Sequence, residues 1–509
     1  MYPSFNLVDE PYMPVAYYNG KTGTASLLEL FTDERIVDIV VRPHERIADM
    51  RFLVNIALAA CGIPANEQEW RDMQQQIPGM AAGYLAKWHD SFYLFHDTKP
   101  FLQIADLQVS STAQNEEEES GYASTSKLCF HLASGNNSTL YDHYALDPDR
   151  HLDHATIARY LVPFQNYHLC GRIGSVQIDG TATERSSVDC PCAPCSMTHT
   201  LIMGYNLQES IWRNIPTADA LHAYMKIGDG WEGRPVWEMF PRGKKDTKAV
   251  HNATQTLLGR LTPIGRAIRI MPDGRNMILG EFLQYPGFSN PRMPFPPEIT
   301  ATVVQGKKDL KLLAIDEERP IWRNLDAITA SCLADGAGGC SALSHAASET
   351  IHGVDIWVGG MLRDKAAYKD EVESMFHLPG PMFQDEGHAL FSDEIQRVDQ
   401  VHTALKDAIS FWKSLTGTSD ACRHTASHDF LTAVEQEGLS ILFGTIAALG
   451  TEDAPARQGT WRRYLRNCAL DAYSDVCRSN ITSQLRAFEA GRRKLYNAIS
   501  NILEIGEAA

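Results

Sequence analysis

Beyond about residue 388 the apolar residues recur at three- and four-residue spacing over long runs, and proline nearly disappears. Ile395, Val398, Val401, Leu405, Ile409 and Trp412 share one helical face. Leu431, Val434, Leu439, Leu442 and Ile446 form a second, Trp461, Leu465, Cys468, Ala469 and Val476 a third, and Leu485, Phe488, Leu495, Ile499 and Ile502 a fourth. A stripe of this period marks a helix that buries one side. Four such helices with short connections predict a helical bundle over residues 389–509. Thr416–Ser419 and the residues around Gly450 mark its turns.

Upstream the pattern is mixed. The same spacing predicts helices over about Glu45–Cys61, 66–90 and 151–168, the last on Ile157, Tyr160, Leu161 and Phe164. The β-branched run Val37–Val41 predicts a strand. Between about 170 and 380 the chain is irregular and rich in Gly and Pro, with short strands expected over Ala267–Met271, Met277–Phe282, Thr300–Val304 and Lys311–Ile315. Ser110–Ser120, with its acidic run Glu116–Glu119, reads as a solvated loop. The fold class is therefore α+β. A large mixed N-terminal domain of short strands and helices, residues 1–388, precedes the C-terminal four-helix bundle. A chain of 509 residues is too long for one core.

Composition changes this picture little, but charge changes it more. The hydrophobic fraction of 44% and charged fraction of 21% are ordinary for a globular protein. No apolar run is long enough for a membrane helix, and the N-terminus lacks the features of a signal peptide. Eleven cysteines, mostly isolated, then imply reduced thiols and a cytoplasmic location. The net charge of −17 speaks against a free-standing DNA-binding protein, because phosphate contacts need clustered Lys and Arg. A DNA-binding role would require a local basic surface, or basic partners that supply most of the attraction.

No phosphate loop, dinucleotide fingerprint or GxSxG nucleophile elbow is present. The sharpest local constellation is Cys190-Pro-Cys192-Ala-Pro-Cys195. Three thiols within six residues offer soft ligands to one ion, and zinc takes four in a tetrahedron. Cys170, His168 or His199 would be the fourth. A structural zinc is thus the one candidate cofactor, set against a loop with incidental thiols or a labile disulfide. An open position on that ion would instead imply a zinc-dependent hydrolase or nucleic-acid-modifying enzyme centred on Cys190–Cys195, although no HExxH or deaminase-like pairing occurs. Basic residues cluster at Arg242, Lys244, Lys245 and Lys248, at Arg266 and Arg269 on an expected strand, at Lys307 and Lys308 in an expected hairpin tip, and at Arg363, Lys365 and Lys369. Such clusters are usually solvated faces. A lysine at a hairpin tip, however, reaches a DNA groove at little conformational cost, and Gly-rich backbone can approach a minor groove closely.

Several phrases fall in one order: FNLVDEPYMPV (Phe5–Val15), WHDSFYLFHDTKPFLQ (Trp88–Gln103), SGNNSTLYDH (Ser134–His143) and GYNLQESIWRNIP (Gly204–Pro216). Together they resemble the CasA family, the large subunit of the type I-E CRISPR surveillance complex Cascade. LVPFQNYHLCGRIG (Leu161–Gly174) looks like that family's helix leading into its glycine loop, and IWVGGMLRDKAAY (Ile356–Tyr368) like its wedge hairpin. Leu257–Ile270 and Pro320–Arg323 look like parts of its central sheet.

The resemblance implies a non-catalytic subunit for antiviral defence. It would recognise the protospacer-adjacent motif (PAM), help open the target duplex for guide RNA and R-loop formation, and dock a trans-acting helicase-nuclease. Its partners would be the other Cascade subunits, guide RNA and double-stranded target DNA, with no membrane and no required cofactor. By position, Gly171 and Gly174 would enter the minor groove, with Arg172 reading acceptors or binding phosphate. Lys307 or Lys308 would be the finger that reaches the PAM, and Asn136, Asn137 and Tyr141 would join the guide RNA and the complex. Arg363 and Lys365 fall in the wedge, where Lys365 replaces the family's frequent glutamine. Any zinc, held by Cys170, Cys190, Cys192 and Cys195, would stiffen the DNA-facing loops.

Overall fold

A computed structural model describes residues 5–110, 121–132, 151–224, 229–286, 299–305, 310–316, 319–330, 338–343, 353–417, 421–477 and 482–504. The chain forms two compact units, and its fold class is α+β, as the sequence predicts. The first unit comprises Met1–Ile321, Gly336–His345 and Asp355–Phe376; the second comprises Trp322–Asp335, Ala346–Val354 and His377–Ala509.

The first unit is organised by the helix Pro43–Cys61. Proline in its first turn and Gly62 at φ +88° past its end match the ordinary preferences of helix termini. The apolar spacing predicts a helix, but the structure buries it on nearly every side, including His44, Glu45, Asp49, Arg51 and Asn55. Hydrogen bonds at Glu45, Arg51 and Asn55 tie the helix to its neighbours, whereas among the described residues Asp49 Oδ2 is buried without one and burial raises the Asp49 pKa well above the ordinary carboxylate value. Arg159, on the helix His154–Tyr167, donates twice to Glu45 Oε2, at 3.0 and 2.6 Å. Arg51 Nε donates to Asn166 Oδ1 at 3.2 Å, and Asn55 Nδ2 to the Leu258 carbonyl and Thr262 Oγ1, each at 2.9 Å.

The single helix expected over 66–90 is instead two, Glu67–Met73 and Ile77–Lys87, followed by a 3₁₀ turn at His89–Phe92. Pro78 is the physical reason. It lacks an N–H and is accepted in the first turn of a helix but not in its interior, so the second helix starts around it. Asn66 caps the first helix by accepting from the Gln68 and Glu69 amides.

The sheets are small. Arg266–Ile270 pairs antiparallel with Asn276–Glu281, which also pairs with Tyr122–Ser124. Val303–Gln305 pairs antiparallel with Leu310–Leu312. The longest strands, Val354–Asp364 and Ala367–Leu378, form a hairpin whose first strand also pairs with His199–Met203, Leu201 opposite Trp357. That first strand is largely buried and the return strand largely exposed. On the return strand, Glu371 meets buried His44, and Glu373 Oε2 accepts from Trp357 Nε1 at 2.7 Å.

In the second unit, the helix Asp385–Thr416 buries all six residues of its predicted face and ends at Gly417, whose φ is +71°. It begins at Asp385, so residues 388 and 389 both lie inside it. The next run, Ala421–Ala433 and Leu439–Ala447, is joined by a π-turn at Val434–Gly438. There Tyr464 Oη donates to the Ala433 carbonyl at 2.9 Å, taking up an acceptor the wider turn leaves. Ala454–Cys477 and Thr482–Leu503 complete the bundle. The last helix departs from its predicted stripe. Leu485 is 50% exposed, and the buried line runs through Ala487, Leu495, Ile499 and Leu503, with Phe488 stacked on Tyr473. Gly491 lies on this buried line, where a Cβ would come within 2.1 Å of Tyr473 Oη.

One carboxylate is sealed within this unit. Glu394 is fully buried and accepts from Trp461 Nε1 at 3.0 Å, Gln458 Nε2 at 3.2 Å and Arg462 Nη2 at 3.3 Å. Glu394→Ala leaves the buried Trp461 N–H without an acceptor and removes the carboxylate shared by Gln458 and Arg462. Chemical denaturation should show the bundle transition lowered by about 3 kcal/mol. A second expectation concerns His402, whose pKa burial and then Lys406 push down to about 4 from 6.5. The folded ring refuses a proton that the unfolded chain takes up. Stability is therefore full above about pH 6.5 and declines as pH falls from there towards 4. His402→Phe should flatten the fall of the denaturation midpoint over that window.

Candidate nucleic-acid interface

Past the helix His154–Tyr167 the chain turns into a two-residue strand, Gly171–Arg172, antiparallel to Ser186–Ser187. A buried guanidinium fixes this turn. Arg266 is inaccessible to solvent and donates to His168 Nδ1 at 2.9 Å, to the Gly265 carbonyl at 2.9 Å, to the Leu169 carbonyl at 3.3 Å and to the Val188 carbonyl. Burial and, secondarily, this neighbouring charge hold His168 well below its ordinary pKa, so the neutral ring accepts. The sequence groups Arg266 with Arg269 as a basic pair on a strand. Their spacing of three places them on opposite faces. Arg266 points inward, while half-buried Arg269 donates to the Leu107 carbonyl at 3.4 Å.

The two glycines of the expected loop have different surroundings. Gly171 sits at φ +146°, and a Cβ there would meet only Ala366 Cβ, at 3.6 Å. Ala366 belongs to the turn of the long hairpin, so the glycine strand and the hairpin tip adjoin. Lys365, the preceding residue of that turn, is at φ +54°, a left-handed conformation that costs a residue with a Cβ roughly 1–2 kcal/mol. Arg172 is exposed beside Gly171. Gly174 instead packs inward: a Cβ there would lie 2.5 Å from Gly121 Cα and 3.2 Å from the Leu279 carbonyl.

Arg363 spans the gap between these parts. Its Nη1 pairs with Asp189 Oδ2, its Nη2 reaches Cys170 Sγ at 3.6 Å, and its Nε donates to the Lys365 carbonyl at 2.8 Å. Its backbone amide donates to Ser196 Oγ at 3.1 Å. Asp189 Oδ1 accepts from the Cys170 amide at 2.8 Å. Sequence reasoning singled out neither Asp189 nor Ser196. The only signal was their position flanking the cysteine run.

The thiols expected to share a zinc ion face different neighbours. Cys190 and Cys192 are each 1% exposed, whereas Cys195 is exposed, at φ +58°. Cys190 packs over Gly265, and burial pushes its pKa up. Cys192 Sγ lies 3.5 Å from Asn166 Oδ1, and Cys170 Sγ faces Arg363. His168 Nδ1 is taken by Arg266, and His199 Nδ1 by Thr300 Oγ1 at 2.9 Å. Among the described residues no three His, Cys, Asp or Glu side chains are placed to hold one metal ion. The residues present do not fit a tetrahedral zinc site. Lys307, Lys308, Asn136, Asn137 and Tyr141 lie outside the described residues.

The surroundings of Gly174 carry a prediction. Gly174→Ala drives a methyl into backbone and should lower stability by about 1–3 kcal/mol. Thermal unfolding of the chain without DNA should register the loss, which marks Gly174 as a packing position.

Comparison with known proteins agrees with this architecture. A family model described as CRISPR-associated protein Cse1 matches residues 6–472. CRISPR-associated protein CasA/Cse1 of Thermus thermophilus is 25% identical over 99% of this chain and 98% of its own length. The crystal structure of Thermobifida fusca Cse1 superposes with a TM-score of 0.79 at 20% identity, covering 99% of this chain and 98% of that one. A chain of a CRISPR RNA-guided surveillance complex superposes with a TM-score of 0.70 at 19% identity, covering 97% of this chain and 100% of that one. The match across most of its length, on a fold with small sheets and a C-terminal bundle, means that this chain belongs to the CRISPR-associated Cse1 family.

Proposed function

We propose that this chain is the large subunit of a type I-E Cascade complex and that it reads the PAM duplex beside the target. The observation that carries this reading is the meeting of Gly171 and the Lys365–Ala366 turn at one place. A glycine with no side chain lets the backbone approach a groove floor, while a lysine at a hairpin apex supplies charge at a neighbouring phosphate or base step. Exposed Arg172 adds a second cation at the same edge. Lys307 or Lys308 supplies the finger to the PAM, and Asn136, Asn137 and Tyr141 join the subunit to the guide RNA. Base pairing with the guide reads the target itself, and the protein reads only the short flank.

The subunit does no chemistry of its own. It helps separate the strands for R-loop formation and docks the helicase-nuclease. With a net charge of −17, the channel that holds most of the nucleic acid is supplied by basic partner subunits. Family membership and the solved surveillance complex of similar fold support this assignment. No observation favours the zinc-dependent enzyme.

Duplex binding by the guide-loaded complex tests the reading, with and without this chain, on matched targets that differ only in the flanking trinucleotide. Flank-dependent binding should require the chain; equal binding without it would sink the assignment. Lys365→Ala and Lys365→Gly should both weaken flank-dependent binding and reduce the salt slope of log K by about 0.9 for one lost phosphate contact. Lys365→Gly should fold at least as well as the parent, because glycine adopts positive φ freely.

A further inference from the structure

The basic residue nearest the hairpin turn, Arg363, is poorly placed to touch DNA. Its side chain is 13% exposed and that of its partner Asp189 is 22% exposed. Its Nε and both Nη atoms are directed at protein atoms: the Lys365 carbonyl, the Asp189 carboxylate and Cys170 Sγ. The Asp189 carboxylate is shared, one oxygen to Arg363 and the other to the Cys170 amide. A continuous polar chain thus runs from the residue before Gly171, through Asp189 and Arg363, to the carbonyl of Lys365. Both ends carry uncommon backbone, Gly171 at φ +146° and Lys365 at φ +54°. Strained turns persist where their surroundings over-determine them. A planar guanidinium bonded to a carboxylate and a turn carbonyl does this, which a flexible ammonium does not.

We propose that Arg363 and Asp189 are positioning residues. They clamp the Lys365–Ala366 turn against the Gly171–Arg172 strand, so that two segments far apart in sequence present one rigid surface to the flanking duplex. The inference rests on the duplex-reading function proposed for this surface. It assigns Arg363 to that function through Lys365 and Gly171 rather than through phosphate contact. A surface assembled from two clamped loops gains specificity because wrong flanks cannot be accommodated by sliding one loop past the other.

The test uses the guide-loaded complex containing the full chain, with Arg363→Lys, Asp189→Asn, the double variant and Lys365→Ala. The readouts are the ratio of affinities for matched and mismatched flanking trinucleotides, the salt slope, and amide exchange in the DNA-free complex. Arg363→Lys keeps the charge and removes the fork. It should lower the discrimination ratio roughly tenfold, the scale of one lost specific base contact, while leaving the salt slope at the parent value. The double variant should be no worse than the poorer single one, since both break one clamp. Amide exchange should rise together at 171–172 and 364–367 in Arg363→Lys and in Asp189→Asn, but not in Lys365→Ala, a local signal that does not depend on DNA affinity.

Parent-like discrimination by Arg363→Lys would overturn the proposal. So would additive losses in the double variant, or a salt slope reduced by about 0.9, which would make Arg363 a direct phosphate contact. If Lys365→Ala and omission of the chain also leave flank discrimination unchanged, the duplex-reading function itself fails. Loss of the variants' discrimination ratio alone, with that function intact, is the clamp's own signature.

Discussion

A guanidinium shut away from water has to be satisfied where it sits, and at Arg266 that requirement shapes the surface above it. Leaving the charge unpaired would cost several kcal/mol, so the chain is folded around it. Carbonyls from Gly265, Leu169 and Val188 and the ring of His168 converge on one side chain. This fixes the end of the helix His154–Tyr167 against the segment that begins at Val188. Cys170 and Asp189 are thereby brought within one hydrogen bond, and Gly171 is delivered to the hairpin turn. The same constraint keeps His168 neutral and occupied, and so unavailable to a metal.

The organising helix Pro43–Cys61 follows the same logic at larger scale. It is buried nearly all round yet carries Glu45, Arg51 and Asn55, so its neighbours are chosen by polar complementarity as well as by shape. Arg159 for Glu45, and Asn166 for Arg51, both come from one helix, and the acceptors for Asn55 come from Leu258 and Thr262. Such ties specify one arrangement among many that would bury similar apolar area. The His44–Glu371 pair extends this network to the return strand of the hairpin. The irregular first unit, with its small sheets, is thus held largely by side-chain polar bonds between distant segments. The second unit depends mainly on apolar stripes, with Glu394 as its one fully buried carboxylate among the described residues.

How much was legible in the sequence follows from this contrast. The bundle was read from periodicity alone, because an amphipathic helix records its buried side locally. Even there Leu485 lies off the buried line of the last helix, on which Gly491 allows close packing against Tyr473. In the first unit the helix around Glu45–Cys61 and most short strands were also legible. The break near Pro78 is carried by the proline itself and not by the apolar spacing, which continues through it. Of the site, Gly171 and Lys365 were picked out by resemblance to a family, and the fold does bring Gly171 beside the turn that Lys365 begins. Asp189 was not picked out, because an acid next to a cysteine run announces nothing until Arg363 is found opposite it.

The sequence by itself determined the class of fold, the four amphipathic helices, the absence of nucleotide-binding motifs and the net negative charge. These are properties of composition and short-range spacing, and the charge by itself leaves a local basic surface or basic partners as the source of attraction to DNA. Tertiary structure alone decided that Arg266 is internal, that Gly174 packs while Gly171 meets the hairpin, that the thiols diverge, and that Arg363 reaches Asp189 and Cys170. Each of those depends on which distant segments share a neighbourhood. Burial then sets the worth of a charge or a missing side chain, and outside the amphipathic helices burial is a property of the folded chain that local sequence does not encode.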